Sequence, residues 1–137
     1  MKDWIRLDPI ELNPGEITDI QGIEVRMALS PYDVPDAVRG GYNEKSKRFV
    51  IQFEYLTDEK KDLRKTGDEH IQVKVGKNSE RIYEIEINTK ALDVHMVSLV
   101  LTVLDEMASH QNERRRGHYE LLHRVIEDKK AELVATA

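Results

Sequence analysis

The stretch LDVHMVSLVLTVLDEMAS, residues 92–109, contains the longest apolar run of the chain. Before it, apolar and polar residues alternate with a period of two. From Leu92 the apolar positions recur with the 3.6-residue period of an α-helix. The spacing predicts a helix over 92–116, with Asp93 in its first turn, where a carboxylate suits the positive end of the helix dipole. Ser98, Thr102, Asp105 and Ser109 form only a thin polar stripe among the apolar positions. A helix lying on a sheet with its other side in water needs an apolar arc of about 100°, and this one is wider. The surplus face requires a cover: the following helix, the N-terminal arm, or a second copy of the chain. Val97, Val100, Leu104 and Met107 are therefore the candidate interface residues, and a homodimer is the leading expectation.

Working outward, the segments before this helix read as strands. Ile23, Val25, Met27 and Leu29 alternate with Glu24, Arg26 and Ala28. In RFVIQFEYL, residues 48–56, Phe49, Ile51, Phe53 and Tyr55 face one way, and the β-branched and aromatic content suits a strand. Ile71, Val73 and Val75 mark a third strand, and Tyr83, Ile85 and Ile87 a fourth. The short GKNSE between them predicts an antiparallel hairpin, with Val75 opposite Tyr83 and Lys74 opposite Glu84. Residues 118–134 form a second amphipathic helix through Leu121, Leu122, Val125, Ile126 and Leu133.

The expected architecture is thus α+β. A four-stranded antiparallel meander is covered on one face by one long or two C-terminal helices, and residues 1–21 form an N-terminal arm or a fifth, edge strand. The whole chain, 1–137, reads as a single domain, with the sheet in 22–90 and the helical layer in 91–137.

Composition narrows the function classes. The net charge of −5 works against nonspecific attraction to phosphate backbones or anionic membranes. There is no cysteine, which excludes disulfides, thiol nucleophiles and cysteine-ligated metals. The apolar run VHMVSLVLTVL is roughly half a membrane span, so no membrane partner is expected. The opening MKDWIRLDPIELNPG has acids where a signal peptide needs apolar residues, which makes a cytoplasmic location the expectation.

Two stretches are candidates for ligand or partner contacts. The first is HQNERRRGHYE, residues 110–120. Its ERRRG order suits a helix C-terminus, with cations at the negative end and Gly117 as the cap. The alternative is a nucleic-acid surface built from Arg114, Arg115, Arg116 and His118, with Arg124 beside them. The second is the segment 30–47, read as a long loop that presents Arg39 and Tyr42 to an anionic ligand. A further charged segment, TDEKKDLRKTGDE, reads as a solvated connection.

Glu120 and His123 match the Glu-x-x-His spacing of di-iron bundles, but no second copy of the motif exists in the chain, so no metal or cofactor is expected. No phosphate loop, dinucleotide fingerprint, nucleophile elbow or zincin motif occurs. Single-stranded nucleic-acid binders share this strand and helix order. The outward positions here, Glu24, Arg26, Ala28, Gln52, Glu54, Gln72, Lys74, Glu84 and Glu86, lack the basic and aromatic character such a platform needs. A noncatalytic protein-interaction or assembly module is the leading functional expectation. Nucleic-acid binding through 114–116 and a small-molecule binder or enzyme using the 30–47 loop are the alternatives.

Overall fold

The computed structural model describes residues 3–7, 17–20, 23–26, 31–88 and 94–134, with the backbone alone at 17–20, 23–26, 31, 94, 113 and 114. In chain order these form β1 (Ile5–Arg6), β2 (Ile17–Ile20), β3 (Ile23–Arg26), a 3₁₀ turn (Pro31–Asp33), β4 (Ala37–Asn43), β5 (Arg48–Glu54), β6 (Lys61–Lys65), β7 (Ile71–Gly76), β8 (Ile82–Ile87), α1 (Val94–Ser109) and α2 (Glu113–Val134). The class is α+β, as expected, but the main sheet has six strands in the order β1-β4-β5-β8-β7-β6, and every pairing in it is antiparallel.

Two of these strands lie where the sequence suggests loops. β4 occupies the middle of 30–47 and pairs with β5 along its whole length, from Ala37–Glu54 to Asn43–Arg48. Its alternation is hidden because the core-facing position between Val38 and Tyr42 is Gly40. A Cβ there would stand 2.9 Å from the Phe49 ring and 3.1 Å from the Leu133 side chain. The missing methyl is what lets the end of α2 come down onto the sheet. β6 lies inside the charged segment, and all five of its residues are exposed, so no buried face marks it in the sequence.

The strand expected over residues 23–29 pairs elsewhere. β3 joins β2 in a separate two-stranded sheet, from Ile17–Arg26 to Ile20–Ile23. Residues 27–30, the turn at 13–15 and the expected helix start at 92–93 lie outside the described residues. The sheet is also not a simple meander: β5 pairs with β8, which brings the hairpin of β4 and β5 beside the meander of β6, β7 and β8.

The hairpin of β7 and β8 has the expected register from Ile71–Ile87 to Lys74–Glu84. A bulge then makes Val75 face Ile82 rather than Tyr83. An extra residue in one strand displaces the alternation by one, so Tyr83 leaves the row of Ile85 and Ile87.

The helical layer breaks earlier than ERRRG suggests. α1 stops at Ser109, and α2 begins after Asn112, whose side-chain Oδ1 accepts the Arg115 amide at 3.1 Å as an N-cap. Gly117 therefore sits inside α2, and Arg114, Arg115 and Arg116 lie in its first turn rather than at a C-terminus. The short turn folds α2 back along α1.

The apolar surplus of α1 is covered within the chain. Val97, Val100 and Leu104 are buried and Met107 is partly buried, in one core cluster with Leu122, Val125, Ile126 and Leu133 of α2 and with Phe49, Ile51, Val73 and Ile85 of the sheet.

Gly40→Val places a branched side chain against Phe49 and Leu133. It is expected to destabilise the fold by about 2 kcal/mol through overpacking, measured by urea denaturation. Partial recovery is expected when Leu133→Ala is added.

Candidate interaction surface

The six-stranded sheet has a helix-bearing face and an opposite face, and charged side chains collect on the second. Pairing registers align Arg39, Gln52, Glu84, Lys74 and Leu63 in one lateral row across β4, β5, β8, β7 and β6. From Arg39 to Lys74, adjacent side chains in the row bind one another. Arg39 Nε donates to Gln52 Oε1 at 2.7 Å, and Gln52 Nε2 donates to Glu84 Oε1 at 2.5 Å. Lys74 Nζ forms an ion pair with Glu84 Oε2 at 2.9 Å. At one end of the row the Arg39 guanidinium stacks over the Trp4 ring, 4.1 Å from its centre. A neighbouring cluster joins Arg48 Nη1 to Glu86 Oε2 at 2.8 Å and to Gln72 Oε1 at 3.1 Å.

These contacts set the charge states of the row. Burial acts to raise the Glu84 carboxyl, but the bonds from Gln52 and Lys74 outweigh it and hold the group below its ordinary value. The bond to Glu84 in turn raises Lys74. Between the row and the end of β5 lies a groove of about 430 Å³, walled by Trp4, Tyr83, Lys61, Lys74 and Glu84. The Lys61 ammonium sits over the Tyr83 ring, 4.7 Å from its centre, and bonds Asp58 Oδ1 at 2.7 Å.

Arg81, buried at the head of β8, anchors the far end of this groove. It reaches the carbonyls of Tyr32 and Thr57, the Ser79 hydroxyl, the Tyr83 hydroxyl and Glu59 Oε2, the last at 3.1 Å. The other Glu59 oxygen accepts the amides of Asn78 and Ser79, both at 3.0 Å. Burial pushes the Glu59 carboxyl up, and these bonds with Ser79, Asn78 and Arg81 more than offset it, so it lies below its ordinary value. A buried ion pair of this kind is tolerated because all three guanidinium nitrogens and both carboxylate oxygens find partners.

The residues singled out in the sequence do not form one patch. Arg39 and Tyr42 stand on opposite faces of β4: Arg39 is in the row, and Tyr42 packs against the core. Arg115 pairs with Glu80, and Arg116 Nη2 lies 3.4 Å from the Gln111 carbonyl at the helix break. The side chain of Arg114 lies outside the described residues. Glu120 is exposed, while the two nitrogens of His123 face different carboxylates, Asp105 at 3.3 Å and Glu127 at 3.5 Å.

His118 is buried at the floor of a second cleft of about 310 Å³. Its Nε2 accepts the Ile82 amide at 3.2 Å, which assigns the ring proton to Nδ1, where it donates to the Asp33 carbonyl at 3.2 Å. Both nitrogens are engaged, so the ring pins α2 to β8 and to the 3₁₀ turn. Trp4, Arg48, Arg81 and Tyr83 were not anticipated as surface or hub residues. The tyrosine needed knowledge of the bulge, and the others needed the pairing order of the sheet.

No family model matches the chain, and neither a curated protein nor a solved structure matches it. Among the described residues no helix is long and apolar enough to cross a membrane.

Burial, more than any neighbour, lowers the His118 pKa from 6.5 to about 4, with Arg81 adding to the effect and the Asp33 carbonyl opposing it. The unfolded chain therefore binds the extra proton first. The contribution of this ring to stability is full above about pH 6.5 and is expected to fall as the pH drops toward 4. Between pH 7 and pH 5 this residue is expected to account for a loss of about 2 kcal/mol. Urea denaturation of the wild type and of His118→Gln at both pH values checks it: the variant should lack that part of the pH dependence.

Proposed function

We propose that this chain is a noncatalytic protein-interaction module that binds through the polar face of its sheet. One observation carries the reading: the row from Arg39 to Lys74 holds its charged side chains in fixed mutual contacts across four strands, beside a groove with aromatic walls. A charged side chain that is already ordered loses little further freedom when a partner docks. Aromatic and arginine side chains are also the groups that supply most binding energy at interfaces. Trp4 and Arg39 bring such groups to one surface, with the buried Tyr83 behind them in the groove wall. The apolar helix, which suggested self-assembly, does not carry the reading, because its side chains are occupied by α2 and the sheet. Nucleic-acid binding gains no support from residues 110–120, where Arg115 is paired and His118 is buried.

Two measurements follow. Light scattering on a sizing column is expected to give the mass of one chain, 15.9 kDa; twice that mass would return the search to a self-interface. Proteins captured from a lysate of the native cells should be lost with Trp4→Ala/Arg39→Gln, which clears one end of the row and leaves the pair of Lys74 and Glu84 in place. They should be retained with Arg124→Glu on exposed α2. Equal capture by all three forms would remove the sheet face as the binding surface.

A further inference from the structure

Among the described residues β6 ends the six-stranded sheet, and β7 alone pairs with it. The Lys77 amide donates to the Lys60 carbonyl at 2.8 Å, which makes these two a hydrogen-bonded pair of the antiparallel ladder. Such pairs alternate with pairs whose backbone groups point the other way. Asp62 and Arg64 thus direct their amides and carbonyls toward β7, opposite Val75 and Val73. Lys61, Leu63 and Lys65 direct theirs outward, along the free edge. The same three side chains share the polar face, because Leu63 stands opposite Lys74 and Lys65 opposite Gln72. Leu63 is 53% exposed, an apolar side chain between two lysines at the rim of the sheet.

The charge of this edge runs against that of the chain. Residues 60–65 hold four cations and one carboxylate, in a protein whose net charge is −5. Asp58 engages Lys61, and Glu80 lies 3.8 Å from Arg64, whereas Lys60 and Lys65 have no ion-pair partner among the described residues. Edge strands are usually blocked by a proline, a bulge or charge. β6 has no proline and pairs with β7 without a register shift, so among the described residues charge is the guard it carries. A guard made of lysines repels some partners and selects others. A second copy docked antiparallel about Leu63 would bring Lys61 against Lys65 twice on the polar face, although Asp62 would meet Arg64 on the other. Like charges directly opposite destabilise a strand pair. A segment with acids at alternate positions around an apolar residue fits instead, setting carboxylates against Lys61 and Lys65 and its apolar side chain against Leu63.

We propose that β6 is a docking edge for an extended acidic segment of a partner protein, which adds antiparallel as a seventh strand. This assignment rests on the interaction-module reading and names the partner's chemistry. It is separable from that reading, because changes on β6 leave Trp4 and Arg39 untouched.

The test uses the whole chain and a labelled peptide with Glu-Thr-Val-Thr-Glu at its centre, at low salt. Binding is expected to shift the amide resonances of Leu63 and Lys65 and to slow their hydrogen exchange. Affinity should fall at least tenfold when the central valine of the peptide is N-methylated, and again with Lys65→Glu, the edge lysine that does not wall the groove. Leu63→Pro should act like the N-methyl peptide, since the amide it removes faces away from β7. Binding that survives N-methylation would be charge attraction without strand addition and would overturn the proposal. So would an absence of binding at millimolar peptide, or resonance shifts confined to other strands. A dimer of the chain that Leu63→Pro dissolves would assign the edge to a second copy and overturn the acidic partner. Capture that depends on Trp4 and Arg39 would survive any of these failures, so the two readings stand or fall apart.

Discussion

A single imidazole ring joins three parts of the chain that are far apart in sequence. His118 rises from the second turn of α2, takes the amide of Ile82 on β8, and gives its proton to the carbonyl of Asp33 in the 3₁₀ turn. Both of those backbone groups are polar atoms at the edge of the core, and leaving either unpaired there would carry a desolvation penalty of about 1–3 kcal/mol. The ring therefore sets where the start of α2 sits against the sheet. Tyr55 packs beside it, with its hydroxyl bonded to the Ile82 carbonyl at 2.7 Å, so both backbone atoms of Ile82 are held by side chains. Arg81 then ties the same region to Tyr32, Thr57 and Glu59. From this fixed end the helix descends to Leu133, which meets the sheet over Gly40.

The two faces of the sheet follow from that arrangement. On one, α1 and α2 cover Phe49, Ile51, Val73 and Ile85, and the apolar surplus of α1 finds its cover inside the chain. On the other, half-buried charges satisfy one another laterally, strand to strand. Mutual pairing lets Glu84 stay ionised at only 7% exposure. The lateral network is also what turns a solvated face into an ordered one, with the groove beside it and the cationic edge at its limit.

Much of the fold was legible where large side chains alternate or recur. β5, β7 and the lower part of β8 were read from Phe49, Ile51, Phe53, Val73, Ile85 and Ile87, and the antiparallel pair of Lys74 and Glu84 came with them. What was hidden has specific causes. Gly40 removes the apolar signal from β4 because a neighbouring helix needs the space. β6 has no buried face to betray it. The helix break was misplaced because ERRRG looks like a C-terminus, while the signal that acts is the Asn112 cap just before it. The candidate surface was harder still. Gln52, Lys74 and Glu84 were correctly placed facing outward, but Arg39 was assigned to a loop, and Trp4 reaches the row only through the pairing of β1 with β4. His118 offered no local signal, since its partners are main-chain atoms of distant residues.

The division of labour between strands and helices has a consequence for biosynthesis. All the strands of the main sheet precede α1 and α2 in the chain, so a ribosome delivers the sheet well before its cover. Until α2 has emerged far enough for Leu133 to reach Gly40, the row of Phe49, Ile51 and Phe53 faces water, and Ile82 lacks its imidazole. Hydrophobic surface left bare at that stage is what chaperones recognise and what drives nascent chains to aggregate. The lysines of β6 are synthesised before both helices, and like charges set opposite one another oppose the pairing of one such edge with another.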